Sequence, residues 1–318
     1  MKQHFFKYHA LGNDYIVIDP AVFNFTPTPE AVRLICDRNR GAGSDGILYG
    51  PLPGSVPAVP LLEIYNPDGS EAEKSGNGLR IFSLYLAEHG YRGLESFQIQ
   101  TKGGLVTAQV KSLAPPLISV DMGAPSFDAQ KAGLATDQAE FINQRLDAGS
   151  HPLKAVFVSM GNPHCVIFGE QPSPSLAKTL GPLIESHKLF PQRTNVQFVE
   201  ILSRHDIRIE IWERGAGYTL ASGSSSCAAA AASRKLGLVE SPVTVHMPGG
   251  VLHLELADTI TMTGPAVSVY DGVFSSAMLA ELARLSAVPA KAGASIAAAS
   301  LAESGFLGAN MHEEPSHA

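Results

Sequence analysis

Short apolar runs separated by glycine, proline and asparagine dominate the chain and predict a protein rich in β-strands. In the first half, strand-like runs lie at residues 5–9, 15–19, 47–49 and 61–65. The turn-like segment Gly12-Asn13-Asp14 between the first two runs predicts a hairpin. Helical spacing of apolar residues predicts a short helix at 29–36 and a longer helix that follows Gly76 and ends at Gly90.

The second half repeats this order of elements. Its strand-like runs lie at residues 155–158, 165–168, 196–199, 207–212, 243–245, 252–254 and 260–262. Helices are predicted at 174–187 and from Gly223 to Leu236. The repeat predicts an internal duplication, an α/β (α+β) protein with two halves of similar plan. From about Ser275 the sequence is rich in alanine and serine, and beyond a short helix at 278–285 we expect it to bury little.

The composition narrows the class of protein. The chain has 318 residues, of which 45% are hydrophobic and three are cysteines, and its formal net charge is −7. This length favours two domains or lobes, and the acidic balance argues against a nucleic-acid partner. Three cysteines make a poor disulfide framework, which favours a reducing cytoplasm. We expect no secretory leader, since the first residues lack an apolar h-region and a small-residue cleavage site. We expect no membrane partner, since no apolar run reaches the roughly 18–20 residues that span a bilayer.

Two matched segments, residues 66–80 and 213–227, carry the strongest chemical signal. Each places a Ser-Gly pair, Ser75-Gly76 in one and Ser222-Gly223 in the other, directly before a predicted helix. The free N–H groups and the positive dipole end of such a helix suit a bound carboxylate. We expect the two helix starts to meet across the cleft between the halves. The alternative interpretation is that both serines are ordinary N-caps.

Seven blocks of sequence, in a fixed order, resemble the diaminopimelate epimerase family. They are residues 6–15, 37–46, 66–70, 75–78, 161–165, 193–196 and 213–217. The resemblance covers roughly residues 4–273 and implies two pseudo-symmetric lobes, each a barrel-like β-sheet around a central helix, with the active site in the cleft between them. The expected domains are 1–125 completed by strand 263–273, then 126–262, and a partly disordered extension of 274–318.

The resemblance also implies a reaction without a cofactor, the inversion of an amino-acid α-carbon. One thiolate removes the α-proton, and a thiol on the opposite face returns one. The first substrate to expect is diaminopimelate, converted from the LL to the meso form in lysine and peptidoglycan precursor synthesis. A homodimer is implied as well.

The resemblance further implies a set of site residues. Those that would hold the substrate are Asn13, Asn66, Asn162, Asn195, Glu213 and Arg214. Backbone groups that would hold its α-carboxylate belong to Gly76, Asn77, Gly223 and Ser224. His164 and Glu213 would orient and polarise the site.

The residue types suit this chemistry. Arg214 can fork a carboxylate, and an asparagine amide accepts from an ammonium while it donates to a carboxylate. Simpler interpretations stay open, because Asn13 and Asn66 lie in turn-like sequence where asparagine is common. His164 likewise has the context of a solvated loop histidine.

Serine stands at both positions where the family has catalytic cysteines, Ser75 and Ser222. The three cysteines of the chain lie elsewhere, at Cys36, Cys165 and Cys227. We expect the last two to be small core residues. Tyr218 stands where the family usually has a glutamate, and its effect on the pocket is open.

The change from thiol to hydroxyl is energetically large. A free thiol has a pKa near 8.5, and a hydroxyl five units higher corresponds to roughly 7 kcal/mol. A helix dipole supplies only about 0.3–2 kcal/mol. Either a neighbouring group therefore activates the serines, or the reaction differs. His164 is the favoured base, and Lys74 is a weaker candidate.

Three functional hypotheses follow. The first is an amino-acid epimerase or racemase in which the serines at 75 and 222 transfer the proton with help from a base. The second is another α-proton reaction on the same scaffold, such as elimination or double-bond isomerisation. The third is a non-catalytic amino-acid binding protein. The absence of a CxxC or HExxH motif disfavours a zinc site, and no lysine lies in a context typical of a pyridoxal phosphate site, so we expect neither metal nor cofactor.

Overall fold

The computed structural model describes residues 3–23, 25–56, 58–130 and 133–286 of the chain. The strands of the first half are β1 (His4–Ala10), β2 (Asn13–Ile18), β3 (Ile47–Pro53), β4 (Pro60–Tyr65), β5 (Glu71–Ala72), β6 (Phe97–Thr101), β7 (Gly104–Leu113) and β8 (Pro116–Asp121). The later strands are β9 (Gln144–Ala148), β10 (His151–Ser159), β11 (Pro163–Phe168), β12 (Asn195–Ser203), β13 (Asp206–Glu213), β14 (Gly217–Thr219), β15 (Val243–Met247), β16 (Gly250–Leu256), β17 (Ile260–Gly264) and β18 (Val267–Val273). The helices are α1 (Pro29–Cys36), α2 (Gly76–Glu88), α3 (Pro174–Glu185), α4 (Gly223–Lys235) and α5 (Ser276–Ser286).

All of these strands belong to one continuous sheet. Hydrogen-bonded neighbours follow the order β9-β10-β11-β12-β13-β15-β16-β17 in one half and β8-β7-β6-β4-β3-β2-β1-β18 in the other. The antiparallel pair of β17 with β8 joins the two halves. Strands β5 and β14 extend the sheet locally beside β4 and β13.

The two halves repeat the same mixture of parallel and antiparallel pairs. Parallel pairing joins β2 with β3 and β4 with β6 in the first half, and β11 with β12 and β13 with β15 in the second. Helix α2 packs against β1, β2, β3, β7 and β8, whereas α4 packs against β10 to β13 and β15 to β17. The duplicated plan inferred from the pattern of strands and helices is therefore present, with one helix inside each half.

The two inner helices are buried on nearly all sides, as expected for helices surrounded by a sheet. In α2 every residue from Gly76 to Leu86 is buried. In α4 the five alanines at 228–232 are buried as well. Small alanine side chains let the surrounding strands lie close to the α4 backbone, and the larger β-branched and leucine side chains of those strands complete the core.

The turn of the first hairpin differs by one residue from the predicted turn. Ala10 pairs with Asn13, so the two turn residues are Leu11 and Gly12, with φ of 55° and 88°. Two successive positive φ values fit the tight turns that join antiparallel strands. Asn13 is consequently the first residue of β2, and its side chain projects from the end of a strand.

The C-terminal helix α5, predicted at 278–285, packs against α1. The hydroxyl of Ser286 donates to the carbonyl of Thr26 over 3.0 Å, and Phe274 packs against Phe5 with ring centres 4.5 Å apart. Residues 287–318 lie outside the described part of the chain, and with them most of the extension predicted to be partly disordered. None of the described helices combines the length and the apolarity that crossing a membrane requires.

Candidate active site

The N-termini of α2 and α4 meet in the middle of the molecule. A Cβ added to Gly223 would lie 3.5 Å from the Cα of Gly76 and 2.9 Å from the Sδ of Met262. A larger residue at the start of α4 would require the Met262 side chain to shift, so glycine suits this approach. The first-turn N–H groups of both helices, those of Asn77 and Ser224 included, therefore lie close together, which is the arrangement expected of an anion site.

The residues before the two helices have nearly the same backbone conformation. Ser75 has φ −139° and ψ 117°, and Ser222 has φ −144° and ψ 126°. The hydroxyl oxygen of Ser75 accepts from the N–H of Gly78 at 3.0 Å, and that of Ser222 accepts from the N–H of Ser225 at 3.4 Å. Both serines are therefore N-caps, as the simpler interpretation held, and both caps stand at the meeting point of the helices.

On the second half's side, the cap Ser222 lies next to Glu213, the last residue of β13, and its hydroxyl lowers the pKa of that carboxyl. The Glu213 carboxylate also accepts from the hydroxyl of Thr219 at 3.1 Å. Burial raises the pKa of Glu213 above its ordinary value, and the hydrogen bonds from Ser222 and Thr219 oppose part of that rise. A carboxylate with a raised pKa beside a hydroxyl is a suitable general base.

On the first half's side, the cap Ser75 lies 3.2 Å from the phenol oxygen of Tyr15. Tyr15 is only 7% exposed. Burial raises the pKa of Tyr15 to about 12, the hydrogen bond with Ser75 lowers it in part, and the charge of Glu213 adds to the rise. Sequence reasoning did not single out Tyr15. This tyrosine is the last residue of the first block that resembles the family, residues 6–15.

A series of side-chain hydrogen bonds orients Asn13 near the N-terminus of α2. The Asn13 Oδ1 atom accepts from Asn77 at 3.0 Å, and its Nδ2 atom donates to Asp45 at 3.0 Å. Asn77 in turn accepts from the guanidinium of Arg80 at 2.9 Å. Arg80 has no exposed surface, and burial lowers its pKa to about 10, so it stays charged at neutral pH. Sequence reasoning did not single out Arg80, whose fixed donors determine which way the amide of Asn77 faces.

His164 is wholly buried and is held by two amides. Its Nδ1 atom accepts from Gln197 at 3.1 Å, which leaves the Nε2 hydrogen to donate to Asn162 at 2.9 Å. Burial lowers the pKa of His164 to about 3, so the ring is neutral. Within the described residues it makes no hydrogen bond to either capping serine, unlike the base expected from the sequence, and its observed contact orients Asn162.

Lys74, the other expected base, also faces away from Ser75. Its ammonium group donates to the backbone carbonyls of Met122 at 3.1 Å and Asp121 at 3.4 Å. Burial lowers the pKa of Lys74. These carbonyl contacts fix the lysine on β8, where it ties the start of α2 to that strand.

Asn195 links two loops of the second half. Its Nδ2 atom donates to the carbonyl of Pro163 at 2.9 Å, and its Oδ1 atom accepts from the N–H of Arg214 at 2.9 Å. The Arg214 side chain is exposed and donates to the carbonyl of Gln192 at 3.3 Å. Its guanidinium is therefore exposed, and a guanidinium with free donors can fork a carboxylate.

Glu185, which sequence reasoning also missed, anchors the loop that carries Arg214. Its carboxylate accepts from the N–H of Gly215 at 2.9 Å and from the indole of Trp212 at 2.7 Å, and it pairs with Arg193. The loop after β13 is thus held by a buried carboxylate from α3.

Asn66, a predicted site residue, and Tyr218, where the family usually has a glutamate, make local contacts. Asn66 donates to the hydroxyl of Ser70 at 3.0 Å in the turn after β4. Tyr218 on β14 donates to Glu210 at 2.8 Å, and the ammonium of Lys178 lies 4.8 Å from the centre of its ring. The phenol of Tyr218 therefore packs toward α3.

The three cysteines are buried and unpaired. Burial raises the pKa of all of them, to about 12 for Cys227. They belong to core clusters, as expected for Cys165 and Cys227. In the described ranges there is also no group of three or more histidine, cysteine, aspartate or glutamate side chains that is placed to hold a metal ion.

The fold is that of the two-lobed racemases, epimerases and isomerases. A probable proline racemase from Agrobacterium radiobacter superimposes with a TM-score of 0.64 at 15% identity, over 86% of this chain and 93% of that one. A phenazine biosynthesis protein of the PhzF family from Bacillus anthracis gives a TM-score of 0.58 at 16% identity, over 86% and 99% of the two chains. The predicted α/β fold with two lobes is confirmed.

Within this class, the chain belongs to the diaminopimelate epimerase family. The family model for diaminopimelate epimerase matches residues 5–128 and 156–269. Diaminopimelate epimerase 2 of Nostoc sp. is 49% identical over 280 residues, which are 87% of this chain and 97% of that protein. The diaminopimelate epimerase of Moorella thermoacetica is 38% identical over 278 residues, 85% of this chain and 99% of that protein. The predictions of the family and of an isomerase are confirmed.

Proposed function

We propose that this protein epimerises diaminopimelate or a closely similar amino acid, without a cofactor. The observation that carries the proposal is the meeting of two helix N-termini, each capped by a serine, at the centre of a fold that its epimerase relatives share. The α-carboxylate would bind to N–H groups of Gly76, Asn77, Gly223 and Ser224. The α-carbon would then lie between Ser75 and Ser222.

The amides around this point are already oriented for an amino acid. Asn13 and Asn77 are fixed by Arg80 and Asp45, and Asn162 is fixed by His164. Preset amides lose little entropy when they bind an ammonium or a carboxylate. Asn195, Asn66 and Arg214 would complete the far end of the site, where Arg214 would fork a second carboxylate.

Glu213, rather than His164, is the base that we propose. Ser222 alone is too weak, because a hydroxyl lies about five pKa units above a thiol, worth roughly 7 kcal/mol. In the proposed step the bond between Cα and its hydrogen breaks, that proton passes to the oxygen of Ser222, and the proton of Ser222 passes to Glu213. The electron pair left on Cα is delocalised into the carboxylate, which the two helix N-termini stabilise.

A one-base reaction is the second candidate. Ser222 lies next to the Glu213 carboxylate, whereas the partners of Ser75 are the N–H of Gly78 and the phenol of Tyr15. A scaffold with a strong base on one face alone would suit elimination or isomerisation. Product mass separates these outcomes, because loss of water lowers the mass and epimerisation does not.

The deciding experiment is incubation in D₂O with LL- and meso-diaminopimelate and a panel of basic amino acids. Deuterium at Cα, together with conversion between stereoisomers, is the expected result. Ser222→Ala should abolish both, whereas Ser173→Ala, which removes the cap of α3 by the same change, should abolish neither. Binding of both stereoisomers without exchange would contradict the proposal and favour a binding protein.

The proposal also includes the domain boundaries, the oligomeric state, the cellular location and the absence of a nucleic-acid partner that we expect from the sequence. The lobes would be 1–125 with the last strand, and 126–262, since β18 pairs with β1 rather than with the second half.

A homodimer is supported by β18, whose outer residues Val269 and Tyr270 are 52% and 46% exposed. A cytoplasmic location without a nucleic-acid partner is supported by the unpaired cysteines and the net charge of −7. Sedimentation analysis tests the dimer.

A further inference from the structure

The hydroxyl of Tyr15 is held against Ser75 by the surrounding core. Tyr15 lies on β2, and a Cβ added to Gly46 would lie 2.7 Å from the Cε1 atom of its ring. The ring therefore fills the space that a larger residue at 46 would need. The side chain is buried, and the oxygen of Ser75 lies 3.2 Å from the phenol oxygen.

The two capping serines thus have different ionisable partners. Ser222 lies next to the Glu213 carboxylate, and Ser75 is hydrogen-bonded to the Tyr15 phenol. Both partners lie at the same site, because the helix starts that the two serines cap approach each other at Gly76 and Gly223. On the Ser222 face, the neighbouring Glu213 carboxylate can accept a proton. On the Ser75 face, the neighbouring Tyr15 phenol is uncharged at neutral pH and can donate one.

We propose that Tyr15 acts through Ser75 as the proton donor for the face opposite Glu213, an inference that rests on the epimerase function proposed above. As the electron pair on Cα takes a proton, the O–H bond of Ser75 breaks and a new bond from Cα to hydrogen forms. The proton of Tyr15 passes to the Ser75 oxygen in the same step. The resulting phenolate takes a proton from water, which restores the pair.

This arrangement makes exchange and inversion separable. Removal of the α-proton by the Ser222 and Glu213 face, followed by its return to the same face, exchanges hydrogen and retains configuration. Inversion also needs the Ser75 and Tyr15 face. Loss of the Tyr15 hydroxyl should therefore slow inversion while exchange with retention continues.

Tyr15→Phe tests this, with Tyr49→Phe as the matched control. Tyr49 lies on neighbouring β3, and its buried hydroxyl donates to the carbonyl of Phe25 at 2.9 Å, away from both serines. In D₂O with diaminopimelate, Tyr15→Phe should lower the rate of inversion about a hundredfold, in the range of general acid catalysis. Exchange with retention should stay within about threefold of the unaltered protein. Tyr49→Phe should change neither.

Each other result has a defined meaning. If the unaltered protein neither exchanges nor inverts any substrate, the epimerase proposal fails and the role of Tyr15 fails with it. If the unaltered protein inverts its substrate and Tyr15→Phe inverts it equally well, or loses exchange and inversion in equal measure, the role of Tyr15 alone is overturned.

Two further measurements keep the test decisive. The double variant Tyr15→Phe with Ser75→Ala should invert no more slowly than Ser75→Ala alone, because residues acting as one unit are not additive. If Tyr15→Phe does not fold, site-specific 3-fluorotyrosine at position 15 keeps the ring and makes the phenol more acidic. It should then change the ratio of inversion to exchange, and an unchanged ratio would overturn the proposal.

Discussion

Replacing both capping serines with cysteine, Ser75→Cys together with Ser222→Cys, tests whether the site still suits the two-thiol chemistry of its family. Each thiol would stand at a helix N-terminus, where about 0.3–2 kcal/mol of dipole stabilisation favours the thiolate. A thiol is also about five pKa units more acidic than a hydroxyl, worth roughly 7 kcal/mol. Only part of this difference is expressed in a proton-transfer transition state, so we expect a gain in epimerisation of about a hundredfold.

The same double replacement should lower the stability of the fold. A thiol accepts a hydrogen bond more weakly than a hydroxyl and is therefore a poorer N-cap. The caps that would be lost are the bonds of 3.0 Å to Gly78 and 3.4 Å to Ser225. At about 1 kcal/mol for each cap, the free energy of unfolding should fall by roughly 2 kcal/mol in urea titrations. Ser173→Cys gives the cost of one such cap away from the site.

The assay measures conversion between stereoisomers and deuterium uptake for both single variants and for the double variant. Activity that appears only in the double variant would show that the present protein no longer uses the family's two-thiol reaction. A folded double variant that is no faster than the unaltered protein would refute the reasoning, since the helix ends would then not activate a thiol.

Three further outcomes are expected. Arg80→Met leaves the buried acceptors of Asn77, Pro265 and Gly76 without their donor and should lower the free energy of unfolding by about 3 kcal/mol, whereas a loss under about 1 kcal/mol in urea would argue against its role. Glu213→Gln should abolish exchange and yet raise the melting temperature at pH 7.5. Because the folded protein raises the pKa of Glu213 above 4.5, its ionisation destabilises the fold as the pH rises past that value, so the gain should vanish below pH 4.5. Iodoacetamide should leave the folded protein active and label its three thiols only after unfolding, and rapid inactivation would instead implicate a cysteine in the reaction.

Much of the fold follows from local pattern. The apolar periodicity of 79–86 and the Ser-Gly pairs before both inner helices predict α2 and α4 to within a residue or two. The turn at Leu11 and Gly12 was misplaced by one residue, because a non-glycine residue with positive φ leaves no mark in the sequence. Helix ends marked by glycine, such as Gly90 and Gly237, were easier to place, since their positive φ suits glycine.

The site was less predictable than the fold, because its contacts join residues far apart in sequence. Tyr15 and Ser75 are separated by 60 positions in the sequence. They meet because β2 packs against the start of α2. Burial makes the role of His164 equally hard to predict from the sequence. A histidine after a glycine and a proline has the sequence context of an exposed loop, yet the sheet encloses it completely and removes its basicity.

The continuity of the sheet limits how the two halves can move relative to each other. Where β8 and β17 join the halves, four residue pairs stand in register, from Thr261 with Asp121 to Gly264 with Ile118. A domain hinge made of loop residues bends at little cost, but this joint is a hydrogen-bonded ladder that must twist as a unit. Any relative motion of the two halves would therefore twist this ladder gradually, unlike a swing about a free linker.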